Sequence, residues 1–182
     1  DQATDAVGPR TAGGFDILTL QLTHSQALPG GLVLQASVLG QVADKNLDSS
    51  QKLYLGGPNG VIAYAVGDGS GDDGYLGNLE LSHRLSLPEI PGELRAGVLA
   101  QYGEIHVNHH DYAGYGSPNL LTEAAVGPKL SYAWRNWSMT AAYGWRVGAY
   151  DRAGAANSTS GAFWVTIAKS FQGLAGSAGS GP

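Results

Sequence analysis

The 182-residue sequence contains no cysteine, and this absence excludes disulfides, thiolate catalysis and zinc–thiolate sites. Charged residues make up only 14 % of the chain, and the net charge of −5 leaves no basic stripe for a nucleic-acid partner. There is no run of about 18 apolar residues, which excludes a transmembrane helix. No signal-peptide pattern opens the sequence, so we expect a mature or trimmed chain if the protein is exported.

The sequence is rich in glycine, with 28 residues, and in large aromatic side chains, with 4 Trp and 9 Tyr. Its length is sufficient for one domain with a sizeable core. Low charge, many glycines and aromatics, and the absence of a helix-length apolar run indicate one of two classes. These classes are a soluble β-sandwich and an outer-membrane β-barrel.

Apolar residues alternate with polar or small residues along most of the chain, which is typical of strands with one apolar face. In the segment 32–43, Leu34 and Val38 face one side, whereas Gln35 and Ser37 face the other. The segments predicted as strands are 15–27, 32–43, 75–87, 94–102, 126–135, 137–147 and 163–171.

The length of the strands and the connections between them distinguish the two classes. Strands of soluble proteins average about 5–6 residues, whereas strands that span a membrane need about 9–11, and most segments here reach the longer value. Short connections (28–31, 87–92 and the turn around 136) alternate with long polar ones (44–74, 108–118 and 151–161). We therefore predict an all-β, antiparallel, multi-pass barrel of the bacterial outer membrane, with short periplasmic turns and long extracellular loops.

Several groups of side chains fit specific positions in such a barrel. Aromatic residues lie near strand ends on the apolar face, as in an aromatic girdle: Trp134, Trp137, Tyr143 and Trp145. Charged residues on the polar face predict a hydrated lumen of mixed charge: Glu80, Arg84, Arg95, Glu123, Lys129, Arg135 and Arg146. The last strand resembles the assembly signal of outer-membrane barrels, with Lys169 free to snorkel; its residues are Phe163, Val165, Ile167 and Phe171.

The number of predicted strands is about seven, whereas bacterial single-chain barrels have an even number. Either the chain is the C-terminal part of a larger barrel, or residues 1–13 contain an eighth strand. The first interpretation is favoured, because 1–13 show no alternation and resemble an extracellular loop or flexible N-terminus. Residues 172–182 have the Gly/Ser/Ala-rich composition of a linker. The predicted organisation is thus an extracellular loop or flexible N-terminus over 1–13, a barrel portion over 14–171 and a linker-like tail over 172–182.

The stretch QKLYLGGPNGVIAYAVGDGSGDDGYLGNLEL places an apolar hexamer inside a loop rich in glycine and aspartate. It resembles the outer-membrane transporters of two-partner secretion, the TpsB family of hemolysin-activator or filamentous-hemagglutinin-exporter type. The resemblance covers 14–171 and implies the last strands of a sixteen-strand barrel, with the loop 44–74 folded back into the lumen. It implies a loop motif at Val61, Ile62, Ala63 and Tyr64. The framing turns would be Gly56, Gly57, Pro58, Asn59, Gly60, Gly69, Gly71, Asp72, Asp73 and Gly74.

One departure from the family pattern affects the loop. Ile62 replaces the family's loop arginine, and Gln101, two residues before Gly103, replaces the aspartate that pairs with this arginine in the lumen. Losing both together is coherent, since removing one partner of a buried pair costs about 3–5 kcal/mol. Either divergence or engineering would produce this change. We expect Ile62 to use apolar contacts such as Leu76 or Leu99, with the loop held more weakly than in the family or lying elsewhere.

The resemblance implies export of a large hemolysin, adhesin or toxin partner through the lumen without a nucleotide. The implied partners are outer-membrane lipid, the secreted passenger and the barrel-assembly machinery. In the family, recognition of the passenger lies in N-terminal POTRA domains and a plug helix, which this sequence lacks. The alternative is a structural or engineered, porin-like barrel fragment that conducts ions or oligomerises but does not secrete.

Three other groups of residues suggest chemistry only weakly. His106, His109, His110 and Asp111 could bind a divalent ion, but they lie in a predicted extracellular loop. Asp68, Asp72 and Asp73 lack the spacing of about twelve residues and the terminal Glu of a calcium loop. Among Glu80, Ser82 and His83, alternation places the histidine on the opposite face from the other two, against a Ser-His-acid enzyme. We predict no metal, no cofactor and no enzymatic activity.

Overall fold

The structure is a computed structural model that describes residues 5, 8–112, 115, 118–148 and 160–171. Its main element is an antiparallel sheet of seven strands in the order β1-β2-β5-β6-β7-β8-β9. The strands are β1 (Ile17–Ala27), β2 (Leu32–Ala43), β5 (Asp73–Leu85), β6 (Glu93–His106), β7 (Leu120–Trp134), β8 (Trp137–Arg146) and β9 (Gly161–Lys169). A second, two-stranded ladder pairs β3 (Leu53–Tyr54) with β4 (Ser70–Gly71). No helix within these described residues is long and apolar enough to cross a membrane.

Each strand of the main sheet pairs with the strand that follows it in the sheet, from β1 to β9, in one continuous register. Leu20 pairs with Gly40, and Leu34 in turn pairs with Leu81, so apolar residues of one face stay on that face across neighbouring strands. The predicted all-β, antiparallel fold is confirmed. The sixteen-strand barrel stays a prediction, and β1 and β9 form the edges of the described sheet.

Some strands are longer than the alternation predicts. β7 begins at Leu120 instead of 126, and β6 extends to His106 instead of 102. Among these additional strand residues, Ile105 and Ala125 lie on the inner face and are buried and apolar. The period of two is irregular there, because the outer face carries Glu104 and His106 and the inner face carries Glu123.

The connections separate into two ends of the sheet. At the turn end lie the short connections 28–31, 86–92 and 135–136, and at the loop end lie 44–72 and the residues that leave β6 at 107 and β8 at 147. Arg135 was predicted on the inner face of a strand, but it lies in the turn after β7. It has a positive φ of 52° and its Cζ is 4.6 Å from the centre of the Trp134 ring. The prediction for Arg135 is wrong because β7 ends at Trp134, and a two-residue turn follows.

The outer face of the sheet is apolar and exposed along all seven strands. Leu20 and Val98 are each 59 % exposed and Ile167 is 57 % exposed, although all three lie in the middle of strands. Buried side chains are found instead on the inner face and in the loop that covers it. The core therefore sits between the sheet and this loop.

Aromatic residues mark both ends of the outer face, as predicted. Trp134 pairs with Trp137 across the turn, whereas Trp145 lies at the loop end of β8 with its ring 4.9 Å from that of Tyr143. Lys169 was expected to snorkel freely, but its Nζ lies 4.7 Å from the centre of the Trp137 ring. At the turn end of the sheet, Arg135 and Lys169 thus make cation–π contacts with Trp134 and Trp137.

The predicted assembly signal lies at the β9 edge of the sheet. Phe163, Val165 and Ile167 are exposed on its outer face, and Phe171 follows the strand and is 81 % exposed. The Lys169 Nζ lies 5.1 Å from the centre of the Phe171 ring. A role of these residues in assembly stays a prediction.

The closest approach between two strands generates the first testable prediction. A Cβ atom at Gly127 would lie 1.7 Å from the carbonyl oxygen of Tyr143, whereas a Cβ at Gly40 would meet nothing nearer than 3.8 Å. We expect Gly127→Ala to lower the free energy of unfolding by about 1–3 kcal/mol, and Gly40→Ala to change it much less. Urea titration in detergent micelles, followed by tryptophan fluorescence, measures both. Equal losses for the two variants would contradict the assigned β7–β8 contact.

Candidate functional site

A long loop leaves β2 after Ala43 and returns at Asp73, the first residue of β5. The β3–β4 ladder forms its stem, and the chain between these strands crosses the inner face of the sheet. We call residues 61–64 the loop tip. The predicted loop 44–74 is therefore shorter by two residues, because Asp73 and Gly74 already belong to β5.

The glycines before the tip fold the backbone tightly onto itself. Val61 N donates to the Leu55 oxygen at 2.7 Å, and Gly57 N donates to the Tyr64 oxygen at 3.1 Å. A Cβ at Gly60 would lie 1.8 Å from the Leu55 oxygen, and Gly57 has a φ of +108°, which favours glycine. The glycines therefore permit a compact turn, in which Pro58 and Asn59 remain exposed.

All four side chains of the loop tip are buried. Their exposed fractions are 0 % for Val61, 4 % for Ile62, 1 % for Ala63 and 3 % for Tyr64. The apolar stretch ends abruptly, since Val66 is 70 % exposed. The loop tip is thus packed like a core segment, and the expectation that the loop could lie elsewhere is wrong.

Ile62 is held by both apolar and polar contacts. Its side chain packs in a cluster with Leu99, Ala142 and Trp164, which belong to three different strands. Ile62 N donates to the Gln101 Oε1 atom at 2.9 Å, and the Trp164 Nε1 atom donates to the Ile62 oxygen at 2.7 Å. Gln101 therefore contacts residue 62, as the resemblance predicts. Its side chain bonds to the backbone of Ile62 instead of forming an ion pair.

The other tip residues contact a second part of the inner face. Val61, Ala63 and Tyr64 pack against Leu76 and Ala125. Leu76 thus contacts the tip through these residues, whereas Leu99 is the expected neighbour of Ile62.

Arg146, the last residue of β8, also reaches the loop tip. Its Nε atom donates to the Ala63 oxygen at 3.2 Å, and its Cζ lies 4.4 Å from the centre of the Tyr64 ring. Two residues earlier, on the same face of β8, Gly144 leaves space for the tip, because a Cβ there would lie 2.6 Å from the Ile62 Cγ1 atom. The end of β8 is thus shaped to receive the loop.

Glycines on the inner face of β5 and β6 receive the stem of the loop. A Cβ at Gly103 would lie 2.6 Å from the Leu55 Cδ2 atom, so the predicted contact of Gly103 is with Leu55. A Cβ at Gly71 or Gly74 would lie within 2.7 Å of the Ile105 side chain. Gly69 also belongs to the stem, since its oxygen accepts from Leu55 N at 3.0 Å. These glycines allow close packing of backbone against side chains.

The base of the loop is organised by a buried carboxylate. Asp72 is 0 % exposed, and its Oδ1 atom lies 2.9 Å from the Lys52 Nζ atom. The backbone nitrogens of Leu47 and His109 donate to the same carboxylate at 3.2 and 2.9 Å. Gln41 adds a bond from its Nε2 to the Asp72 backbone oxygen. Asp72 therefore joins three separate parts of the chain.

Asp73 completes this base from the first position of β5. Its carboxylate accepts from Ala43 N at 2.7 Å and from the His109 Nδ1 atom at 2.6 Å. Two of the three carboxylates considered for a calcium loop, Asp72 and Asp73, thus accept hydrogen bonds from protein donors. Within the part of the chain that the structure describes, no group of three or more His, Cys, Asp or Glu residues could hold a metal ion.

The predicted lumen charges have different environments. Lys129 Nζ lies 2.6 Å from Glu80 Oε2, and Arg95 is paired with Glu93. Glu123 is fully buried. A further predicted member, Arg84, is at the turn end, where 60 % of its side chain is exposed.

A cavity of about 400 Å³ lies between the loop and the Glu80–Lys129 pair. It is lined by residues from β1 to β9, including Gln21 at one edge of the sheet and Trp164 at the other. The sheet therefore curves around this space, and Asn59 of the loop borders it.

The residues weighed for Ser-His-acid catalysis lie where alternation predicts. Glu80 and Ser82 are buried on the inner face, whereas His83 is exposed on the outer face and its Nε2 bonds to the Gly30 oxygen at 3.0 Å. Sequence reasoning did not identify the contacts of Arg146 and Trp164 with the loop. Their inward position was visible in the alternation, but their distance from the tip was not.

The chain is similar in sequence to known transporter proteins. No protein-family model matches the chain. A heme/hemopexin transporter protein, HuxB of Haemophilus influenzae, is 32 % identical over 118 residues, which are 64 % of this chain and 21 % of the relative. The protein of the same name from strain 86-028NP is 41 % identical over 71 residues, which are 39 % of this chain and 13 % of that relative. The chain spans about a fifth or less of the length of these relatives.

A solved structure shares the fold. CdiB from Acinetobacter baumannii superposes with a TM-score of 0.53 at 20 % sequence identity, over 84 % of this chain and 26 % of that chain. The resemblance to the two-partner secretion transporters is confirmed. The position of the loop tip on the inner face of the sheet is the feature that we treat as the candidate functional site.

The base of the loop supplies a second prediction. We expect Asp72→Asn to destabilise the protein by about 3 kcal/mol, because it removes one partner of a buried ion pair with Lys52. Hydrogen exchange at the amides of Leu47 and His109 should accelerate. Asp48→Asn is the matched control, since Asp48 is exposed in the same loop and caps Ser50 N. Unchanged exchange in Asp72→Asn would show that Asp72 does not hold the loop base.

The contact of the tip with β8 supplies a third prediction. Gly144→Ala should displace the loop tip at a cost of about 1–3 kcal/mol, because the new methyl group would overlap Ile62 and Ala63 N. The measurement is hydrogen exchange at the Ile62 amide. Gly77→Ala serves as the control, because its Cβ would meet nothing nearer than 3.8 Å. Full protection of Ile62 in the Gly144 variant would refute this placement of the tip.

Proposed function

We propose that this chain is part of an outer-membrane transporter of two-partner secretion. The whole protein would export one large partner of hemolysin, adhesin or toxin type through its barrel, without a nucleotide. The relatives carry the name of transporters, and their similarity to this chain supports transport as the class of function. The chain itself contributes a curved wall and the loop that packs against it.

The carrying observation is the inverted polarity of the sheet. Apolar side chains such as Leu18, which is 72 % exposed, face outwards along all seven strands. The inner face instead carries the Glu80–Lys129 pair and polar side chains around a cavity. A water-soluble protein rarely exposes so large an apolar surface, whereas lipid around the outer face and water within explain both faces.

The polar cavity supports passage of a polypeptide better than binding of an apolar ligand. Its lining includes Gln21, Ser37, Asn78 and Thr140, whose uncharged side chains can exchange hydrogen bonds with a passing backbone. Such a lining binds no single sequence strongly. The proposal therefore assigns conduction to this part and leaves recognition of the passenger to other parts of the whole protein.

The proposal also includes the environment of the barrel. Outer-membrane lipid would cover the apolar face, and the aromatic rings at both ends would lie at the two interfaces. The exposed aromatic residues Phe163 and Phe171 at the β9 edge support insertion by the barrel-assembly machinery. No group of the described inner face suggests a chemical reaction, so the proposed function is transport without catalysis.

The test compares the proteins secreted by the native bacterium with those of a strain that lacks the full gene and of the complemented strain. We expect one large protein, or a very few, to be absent from the medium of the deletion strain and to be present again in the medium of the complemented strain. An unchanged set of secreted proteins, together with ion conductance of the purified full-length protein in a planar bilayer, would favour the pore without secretion. An unchanged set without conductance would contradict both functions.

A further inference from the structure

The loop tip contains no charge that could attach it to the wall. Residues 55–66 are all uncharged, and the polar bonds of the tip to the sheet use backbone atoms of Ile62 and Ala63. Backbone bonds and apolar packing place the tip on the inner face. A charged contact to the tip must therefore come from the sheet.

Arg146 supplies this charged contact. Its guanidinium makes two contacts with consecutive tip residues, a hydrogen bond to the Ala63 oxygen at 3.2 Å and a stack on the Tyr64 ring at 4.4 Å. A planar guanidinium can make both contacts at once, since it donates in its plane and stacks with its face. Together they constrain the direction as well as the position of the tip.

The surroundings hold Arg146 in place for this role. Arg146 N donates to the Ser160 oxygen at 2.9 Å, and Val147 N donates to the Ala124 oxygen at 3.0 Å, so the backbone is bonded on both sides. Arg146 also pairs across the sheet with Ala125 of β7, two residues from the fully buried Glu123.

We propose that Arg146 is the positioning residue of the loop tip, a cation on the wall that orients a tip which has no charged residue of its own. The inference rests on the proposed function for its consequence, which is that Arg146 controls how far the tip obstructs the transport path. Because apolar burial supplies most of the attachment, loss of Arg146 should loosen the tip without releasing the base of the loop.

Two variants of Arg146 separate charge from volume. Arg146→Met keeps the length of an apolar side chain and removes the charge, whereas Arg146→Lys keeps the charge. In the full-length protein in micelles, we expect hydrogen exchange at 61–64 to accelerate about tenfold in Arg146→Met, the size of one charge-assisted contact. Arg146→Lys should restore only part of the protection, because an ammonium keeps the charge but cannot donate to the Ala63 oxygen and stack on the Tyr64 ring at the same time. The amide of Leu47 at the loop base should be unchanged in both.

The matched control is Arg95→Met, which removes an arginine from the inner face away from the loop. It should leave exchange at 61–64 unchanged. A double-mutant cycle with Tyr64→Leu should be non-additive, whereas Tyr64→Phe, which retains the ring face, should preserve the coupling. Parent-like exchange in Arg146→Met, or better protection by Met than by Lys, would overturn the proposal.

Conductance tests the consequence for the transport path. In a planar bilayer, full-length Arg146→Met should pass a larger or noisier ion current than the parent, and Arg146→Lys should lie between the two. If exchange at 61–64 changes while the current does not, the positioning role holds but its control of the path is refuted. The set of secreted proteins in the deletion strain tests transport separately, because it does not depend on Arg146.

Discussion

The packing of the loop tip depends on how closely its backbone can approach the inner face of the sheet. Gly60 lets the chain turn before the tip, and Gly144 opens space on β8 for Ile62. A side chain at either position would overlap atoms of the loop. Once this approach is made, burial of the four tip residues and the bonds from Gln101 and Trp164 follow from the same geometry.

The loop is attached at two places by different physical means. At the base, Asp72 draws together Lys52, Leu47 and His109 through one buried carboxylate. Such a site is strong and specific, because a buried charge without its partners is costly. At the tip, apolar packing and backbone bonds dominate, and these contacts can be broken one by one. A loop with a firm base and a separable tip is suited to the transport path that we propose.

A hydrogen bond takes the place of the ion pair that the family resemblance implies. Ile62 and Gln101 stand where an arginine and an aspartate were expected, yet the structure still joins the two positions by a hydrogen bond to the backbone. Arg146 brings a cation to the same region from β8, next to the buried Glu123. Two uncharged residues at the expected sites are therefore compatible with a packed loop, and charge reaches the tip from the wall.

The sequence by itself determined the sheet and its two faces, because a period of two places Leu79 and Glu80 on opposite faces whatever the rest of the chain does. The apolar stretch framed by glycines also carries the resemblance that implies a loop folded onto the inner face. Strand ends were less predictable: the period of two is irregular at the start of β7, where the inner face carries Glu123, and Arg135 lies in a turn that alternation cannot detect.

Only the tertiary structure decided which residues hold the loop. Arg146 and Ala63 are 83 residues apart in the chain, and Trp164 and Ile62 are 102 apart. Their contacts depend on the order and register of strands and on the curvature of the sheet. Local sequence specifies the direction in which a side chain points, but the distance to a partner is set by packing of the whole.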